Sequence, residues 1–191
     1  ERLAGCAVLV KPSEVTPRFV VPLMASVREF PELAAVFAVV TGDGQTGAAL
    51  IEQVDAVCFT GSVATGRKVA ESCARRFIPA FLELGGKDPV IVLASADPDR
   101  AAAAVLRASV QATGQACQSL ERVYVHERVA AAFIERLVAR AGAVPLNYPD
   151  SRRGQVGPLI FARQAEIIAG QLADAVAKGA RILTGGTIET H

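Results

Sequence analysis

Short apolar runs alternate with helix-forming stretches along most of the chain, and this alternation constrains the fold more than any other feature. Apolar runs over residues 6–10, 34–40 and 56–62 are each followed by a segment typical of a helix. Residues 78–87 add a fourth run that ends in a glycine pair. Short strands separated by helices favour parallel strand pairing. The sequence therefore predicts a parallel, doubly wound α/β sheet.

The same pattern resumes after the glycine pair Gly85-Gly86, which we take as the boundary between two α/β units. The first unit, residues 1–84, is predicted to be Rossmann-like and to run into a second α/β unit over residues 85–191. The predicted elements of the second unit are a strand over 88–93, a helix over 97–113, a strand over 122–126, a helix over 127–143, and a last helix from 163 that Gly179 ends before a final strand.

Composition and charge exclude several classes of protein. The 191 residues carry a formal net charge of +1 with both signs spread along the chain, so nothing favours nucleic-acid binding. No apolar run approaches the ~20 residues of a membrane helix, and no signal peptide is visible. Cys6, Cys58 and Cys73 have no metal-ligand spacing and are interpreted as small apolar residues. We predict a soluble, cytoplasmic protein with no metal site.

Two strand ends carry residues suited to a dinucleotide, because ligands of open α/β sheets bind where strands end. In "KPSE", Lys11 and Glu14 can contact ribose hydroxyls, and the carboxylate would repel a 2′-phosphate, which favours NAD over NADP. In "FTGS", Gly61 and Ser62 form a strand-to-helix turn whose N–H groups favour a pyrophosphate. Taken alone, the first motif could be a solvated loop and the second an ordinary helix N-cap.

Two further motifs carry groups that can react. "ELGGK" leaves Glu83 at the end of a strand, where it can serve as a general base or simply face solvent. "GQAC" places Cys117 in a turn of small and polar residues that gives a thiol access and N–H donors. A lone cysteine in a turn can also be incidental. His126 looks like the end of a strand, so a Cys/His protease has little support.

In this order and spacing, "KPSE", "FTGS", "ELGGK" and "GQAC" resemble the aldehyde dehydrogenase superfamily, and "GPLI" and "AVAKGARILTGG" resemble it too. The resemblance covers essentially the whole chain. It implies that Cys117 attacks an aldehyde and that Glu83 activates the water that hydrolyses the resulting thioester. The remaining residues it implies are Lys11 and Glu14 on the adenosine ribose, Gly61 and Ser62 at the pyrophosphate, and Leu84 and Gly85 lining the nicotinamide side.

The resemblance also implies that this chain is an internal piece of a homodimeric or homotetrameric enzyme. Residues 1–84 would be the C-terminal part of the NAD-binding domain and residues 85–191 the N-terminal part of the catalytic domain. The family's oxyanion asparagine, a ribose-binding glutamate and the oligomerisation strand fall outside the sequence, so we expect the chain alone to be marginally stable and impaired or inactive. Two alternatives stay open: a CoA-acylating relative, against which Glu83 argues, and a non-catalytic nucleotide-binding piece.

Overall fold

The structure is a computed structural model that describes residues 5–150 and 152–190. The chain divides into two compact units, Glu1–Leu84 and Gly85–His191, at the glycine pair singled out in the sequence. Each unit is built from parallel strands and helices. The predicted α/β class with parallel strands is therefore confirmed.

The first unit contains two pairs of parallel strands. Its elements are β1 (Val8–Val10), a 3-10 turn (Pro17–Phe19), α1 (Val20–Arg28), α2 (Pro31–Ala34), β2 (Phe37–Val39), α3 (Gly44–Ile51), β3 (Val57–Gly61), α4 (Val63–Arg75) and β4 (Ala80–Leu84). Strand β1 pairs with β2, and β3 pairs with β4. In all four strands partly buried and exposed residues alternate, because successive side chains of a strand point to opposite faces.

The described residues of the second unit form one pair of parallel strands, and two of its helices pack together beside that pair. Its elements are β5 (Asp88–Val92), α5 (Pro98–Val110), a 3-10 turn (Gln111–Gly114), β6 (Leu120–Val125), α6 (Glu127–Gly142) and α7 (Ala162–Ala177). The core of this unit consists of Val92, Ala102, Val105 and Phe133. Among the described residues, no helix combines the length and the apolar character that crossing a bilayer requires.

Polar residues at the helix starts fix several element boundaries. Asp97 caps α5 by accepting a hydrogen bond from the Arg100 N–H at 2.8 Å, as its position before Pro98 predicts. At the other end of the unit, α7 stops where Gly179 takes a φ of +92°. Helix α5 ends at Val110, three residues before its predicted end, because the chain then enters a left-handed turn.

The described residues form three two-stranded sheets, all with the parallel pairing that the sequence predicts. One expectation about strands differs from the structure. The strand predicted after Gly179 is wrong, because residues 180–190 are irregular. The apolar pair Ile182 and Leu183 that suggested it is about half exposed. A β-strand requires a hydrogen-bonded neighbour, and in the described part of the chain this segment pairs with none.

Candidate nucleotide and nucleophile sites

The ammonium group of Lys11 joins the ends of two neighbouring strands. Lys11 follows β1, and its Nζ donates to the carbonyl oxygens of Pro12 at 2.8 Å and Gly42 at 2.9 Å, the latter just beyond β2. The Glu14 Oε2 lies 3.5 Å from the same nitrogen. The Lys11 side chain is 19% exposed and that of Glu14 is 62% exposed. The structure thus brings together the predicted ribose-binding pair, Lys11 and Glu14. Of the three contacts of the Lys11 ammonium group, the one with Glu14 is the longest, and a ligand hydroxyl could replace it.

The carboxylate of Glu14 carries a fixed negative charge at this strand end. A hydrogen bond from its own backbone N–H, followed by the hydrogen bond and charge of Lys11, holds the pKa of Glu14 below its usual range. Glu14 is therefore ionised at neutral pH. A doubly charged phosphate group placed beside it would be repelled, whereas a ribose hydroxyl could donate to it.

The turn between β3 and α4 is a well-formed helix start. Gly61 ends β3, and the Ser62 Oγ accepts from the Thr65 N–H at 3.2 Å and donates to the Thr65 Oγ1 at 3.0 Å. The N-cap interpretation of Ser62 is therefore right. It leaves the anion-binding interpretation open, because the first N–H groups of a helix have no partner within it and lie at its positive end. An anion at this turn would meet backbone N–H groups rather than the engaged Ser62 hydroxyl.

Strand register brings the "FTGS" and "ELGGK" motifs to one edge. Thr60 is the partner of Glu83, and Gly61 is the partner of Leu84. The Glu83 side chain is exposed. The Leu84 side chain instead packs on α4, because a Cβ built on Gly66 would lie only 2.6 Å from the Leu84 Cδ2. The backbone of Leu84, rather than its side chain, is thus the part available to a ligand.

Cys117 precedes a strand, whereas Gly85 lies between two strands along the chain. Gly85 directly follows β4 and lies three residues before β5. Cys117 lies three residues before β6, and because β6 runs parallel to β5, Cys117 lies on the amino-end side of their sheet. Its position is set by the 3-10 turn that ends α5, which the apolar pattern of the sequence does not show.

The thiol of Cys117 is exposed to solvent. Its Sγ lies 3.5 Å from the Gln118 Oε1, and the Ser119 N–H donates to the Ala116 carbonyl oxygen at 3.2 Å, which closes a turn around the cysteine. Of the other cysteines, Cys73 is buried as expected of a small apolar residue, and burial raises the pKa of its thiol. Cys6 and Cys58, which were interpreted in the same way, are exposed.

Sequence reasoning did not identify one set of contacts near Cys117. The side chains of Thr113 and Gln115 hydrogen-bond to the backbone of residues 157–160. The "GPLI" motif at these positions was the available signal, but the sequence alone did not say what it touches. In residues 5–150 and 152–190 no cluster of three or more histidine, cysteine, aspartate or glutamate side chains is placed to hold a metal ion.

Comparison with known proteins identifies the family. The family described as "Aldehyde dehydrogenase family" matches residues 2–191. This chain belongs to the aldehyde dehydrogenase family. The resemblance drawn from the motifs is thereby confirmed. The structure of PutA from Anabaena variabilis is 55% identical in sequence with a TM-score of 0.96, over 99% of this chain and 40% of that one.

Two further solved structures that resemble this chain are named for different cofactors. An NAD-dependent aldehyde dehydrogenase from Sinorhizobium meliloti is 36% identical with a TM-score of 0.90, over 98% of this chain and 38% of that one. An NADP-dependent enzyme from Escherichia coli is 33% identical with a TM-score of 0.87, over 97% of this chain and 39% of that one. The chain thus spans about two fifths of the length of these three proteins.

Proposed function

We propose that the protein containing this chain oxidises an aldehyde to a carboxylic acid with NAD, using Cys117 as nucleophile and Glu83 as general base. The observation that carries the proposal is the exposed thiol of Cys117, set in a closed turn of a chain that belongs to the aldehyde dehydrogenase family. Glu83 precedes the last residue of β4, and its carboxylate is exposed. This supports a reaction in which water hydrolyses the thioester.

Cys117 begins the reaction by covalent catalysis. Its thiolate attacks the aldehyde carbon, a C–S bond forms, and the carbonyl oxygen takes up a proton to give a thiohemiacetal. A nicotinamide bound here would supply the hydride acceptor, and loss of a hydride from the carbon and of the proton from the oxygen would turn this adduct into a thioester. Glu83 then takes a proton from water as the water oxygen attacks the thioester carbon. The C–S bond breaks, the carboxylic acid leaves and the Cys117 thiolate is restored.

The first unit supplies the groups that would hold the dinucleotide. The Lys11–Glu14 pair, with the Glu14 side chain exposed and Lys11 partly buried, offers one donor and one acceptor to the adenosine ribose. The start of α4 after Gly61 offers backbone N–H groups to the pyrophosphate. The ionised carboxylate of Glu14 supports NAD over NADP, because it would repel a 2′-phosphate. Backbone at Leu84 and Gly85 would line the nicotinamide side.

The proposal is tested by following NADH and NADPH formation from a panel of aldehydes with the protein in its natural full length. Cys117→Ser should lower the rate by about 10³-fold or more, because the nucleophile is lost. Cys6→Ser is the matched control, since Cys6 is also exposed, and it should leave the rate unchanged. NAD should be reduced faster than NADP.

Three results would contradict parts of this proposal. Undiminished reduction of NAD by the Cys117→Ser variant would exclude Cys117 as nucleophile. Reduction that requires added CoA would replace hydrolysis by acyl transfer to a thiol and remove the role of Glu83. Binding of NAD without oxidation of any aldehyde in the panel would favour a nucleotide-binding role without catalysis.

A further inference from the structure

The turn before Cys117 has an uncommon backbone conformation. Ala112, Thr113 and Gly114 are three consecutive residues with positive φ, at +52°, +63° and +70°. Only glycine adopts this left-handed region freely, and a β-branched residue such as threonine is a pronounced outlier there. A conformation of this kind persists where surrounding contacts hold it in place, and such sites cluster where function needs a fixed geometry.

Three hydrogen bonds supply those contacts, and all three lead to one segment, residues 157–160. The Gly157 N–H donates to the Thr113 Oγ1 at 3.1 Å. The Gln115 Nε2 donates to the Pro158 carbonyl oxygen at 3.1 Å, and the Ile160 N–H donates to the Gln115 Oε1 at 3.0 Å. We call these three bonds the loop clamp. Both the nitrogen and the oxygen of the Gln115 amide are hydrogen-bonded. If the amide group were rotated by half a turn, its NH₂ group would face the Ile160 N–H and its oxygen would face the Pro158 carbonyl oxygen, so both bonds would be lost.

The loop clamp acts on the middle of a loop whose two ends are fixed by other means. The Ser109 Oγ donates to the Leu120 carbonyl oxygen at 2.8 Å, which ties α5 to the start of β6. Within the loop, the Gln115 N–H donates to the Ala112 carbonyl oxygen at 3.1 Å. Cys117 follows Gln115 by two residues and is exposed, so burial does not hold its thiol in place. The position of the thiol is therefore set by the loop backbone, which the loop clamp holds at Gln115 and which the Ser119 N–H closes after the cysteine by donating to the Ala116 carbonyl oxygen.

We propose that Thr113 and Gln115 are positioning residues that hold the Cys117 thiol in its reactive place through the loop clamp. This inference rests on the proposed function, because a fixed position of the thiol matters to the reaction only if Cys117 is the nucleophile. In this role neither Thr113 nor Gln115 contacts the substrate. Their loss should lower the fraction of time in which the thiol is correctly placed, which reduces kcat while leaving substrate binding largely intact.

The first test measures the clamp without using activity. Amide hydrogen exchange is followed over residues 111–119 in the protein at its natural full length. Thr113→Val keeps the branched shape and removes the accepting oxygen, whereas Thr113→Ser keeps that oxygen. Gln115→Ala removes two of the three bonds, and Gln171→Ala, at an exposed glutamine of α7, is the matched control.

Exchange over residues 111–119 should quicken about 3- to 10-fold in Thr113→Val and Gln115→Ala, the range expected from losing one or two hydrogen bonds. Thr113→Ser and Gln171→Ala should match the wild type. Equal exchange in all five proteins would overturn the clamp. If Gln115→Ala does not fold, the Thr113 pair decides the question alone.

The second test measures the effect on the reaction. We expect Thr113→Val and Gln115→Ala to lower kcat about 10-fold with KM nearly unchanged, and Thr113→Ser to restore kcat. Unchanged kcat in a variant whose loop exchanges faster would overturn the positioning role. A Thr113→Ser variant as slow as Thr113→Val would overturn it as well. A wild-type protein that oxidises no aldehyde would refute the proposed function, while the exchange data would still decide the clamp.

Discussion

Gly66 shows how a single missing side chain shapes one edge of the candidate nucleotide site. It is buried in α4, and a Cβ at this position would lie 2.6 Å from the Leu84 Cδ2 and 3.0 Å from the Cδ1. Glycine therefore lets α4 approach the end of β4 closely. This contact keeps the Leu84 side chain on the helix, at the end of the sheet that also carries Gly61.

We predict that Gly66→Ala has a free energy of unfolding about 1–3 kcal/mol lower than that of a Gly→Ala control in another helix, the usual cost of forcing an extra methyl group into a packed site. The matched control is Gly170→Ala, because Gly170 lies inside α7 and a Cβ there meets nothing within 4 Å. This control should gain about 0.5–1 kcal/mol from the better helix propensity of alanine. Urea unfolding followed by circular dichroism measures both, and a Gly66→Ala variant as stable as Gly170→Ala would contradict the packing argument.

What the sequence could predict at this scale depends on distance along the chain. Lys11 and Glu14 are three residues apart, so their contact followed from a local pattern. The partners of Gln115 lie 43 and 45 residues away, at Pro158 and Ile160. No local propensity predicts such a contact, and the side chain of Gln115 looks like that of any polar turn residue. Contacts between residues that are far apart in sequence, such as those of Gln115, were therefore not predicted.

At the scale of elements, α5 and α6 are joined by an ion pair at their ends. Asp99 lies in the first turn of α5 and Arg140 in the last turn of α6, so each charge also suits the dipole of its own helix. The Arg140 Nη2 donates to both carboxylate oxygens of Asp99, at 2.9 and 2.8 Å. This hydrogen bonding with Arg140 holds the pKa of Asp99 below its usual range.

We predict a small, pH-dependent loss of stability in the Asp99→Asn variant. A carboxyl group whose pKa is lower in the folded state stabilises the fold above its unfolded pKa of about 3.9, and this contribution disappears as the pH falls through the folded value. The wild type should therefore have the higher Tm at neutral pH and lose that advantage as the pH falls below about 3.9 and through the lower folded-state pKa of Asp99. The effect is small because solvent screens an exposed pair.

Melting curves of wild type, Asp99→Asn and the control Glu135→Gln over this pH range test the ion pair. Glu135 is an exposed residue of α6, so its substitution should not reproduce the pH dependence. An equal difference in Tm between wild type and Asp99→Asn at every pH would show that the ion pair is not its source.

The sequence predicted helices and strands well where local signals are strong, and poorly where a strand depends on pairing with a segment distant in sequence. The six strands all lie within or next to predicted apolar runs, and Asp97 marks the start of α5 as its capping residue should. The end of α5 was missed because Ala112 and Thr113 take positive φ, which neither residue type favours. The strand expected after Gly179 was wrong because apolar composition alone does not provide a neighbouring strand.

At the scale of the whole chain, the sheets leave apolar side chains exposed on one face. Ile91 and Tyr124 are register partners on β5 and β6 and are 70% and 53% exposed. On β4, Phe81 is 61% exposed beside its register partner Cys58, which is exposed too. Parallel sheets are normally covered on both faces, so these uncovered faces lack what usually protects them.

We therefore predict that the 191-residue chain, produced by itself, associates with itself and unfolds at modest temperature. Sedimentation velocity should show species larger than a monomer, and replacing Ile91 and Tyr124 together by threonine should reduce them while keeping residues that favour strands. A monomer that unfolds in one cooperative transition at high temperature would show that the exposed faces have no such effect.

The central claim is that Cys117 carries the substrate as a thioester that Glu83 helps to hydrolyse, and trapping that thioester tests it most directly. The Glu83→Gln variant of the natural full-length protein is mixed with an aldehyde and NAD, and the peptide that contains Cys117 is weighed by mass spectrometry. Glu71→Gln, at an exposed glutamate of α4, is the control. We predict that the acyl group accumulates on Cys117 in Glu83→Gln and not in the control. Carboxylic acid formed at the wild-type rate with no acyl group on Cys117, or an acyl group on another cysteine, would contradict the account.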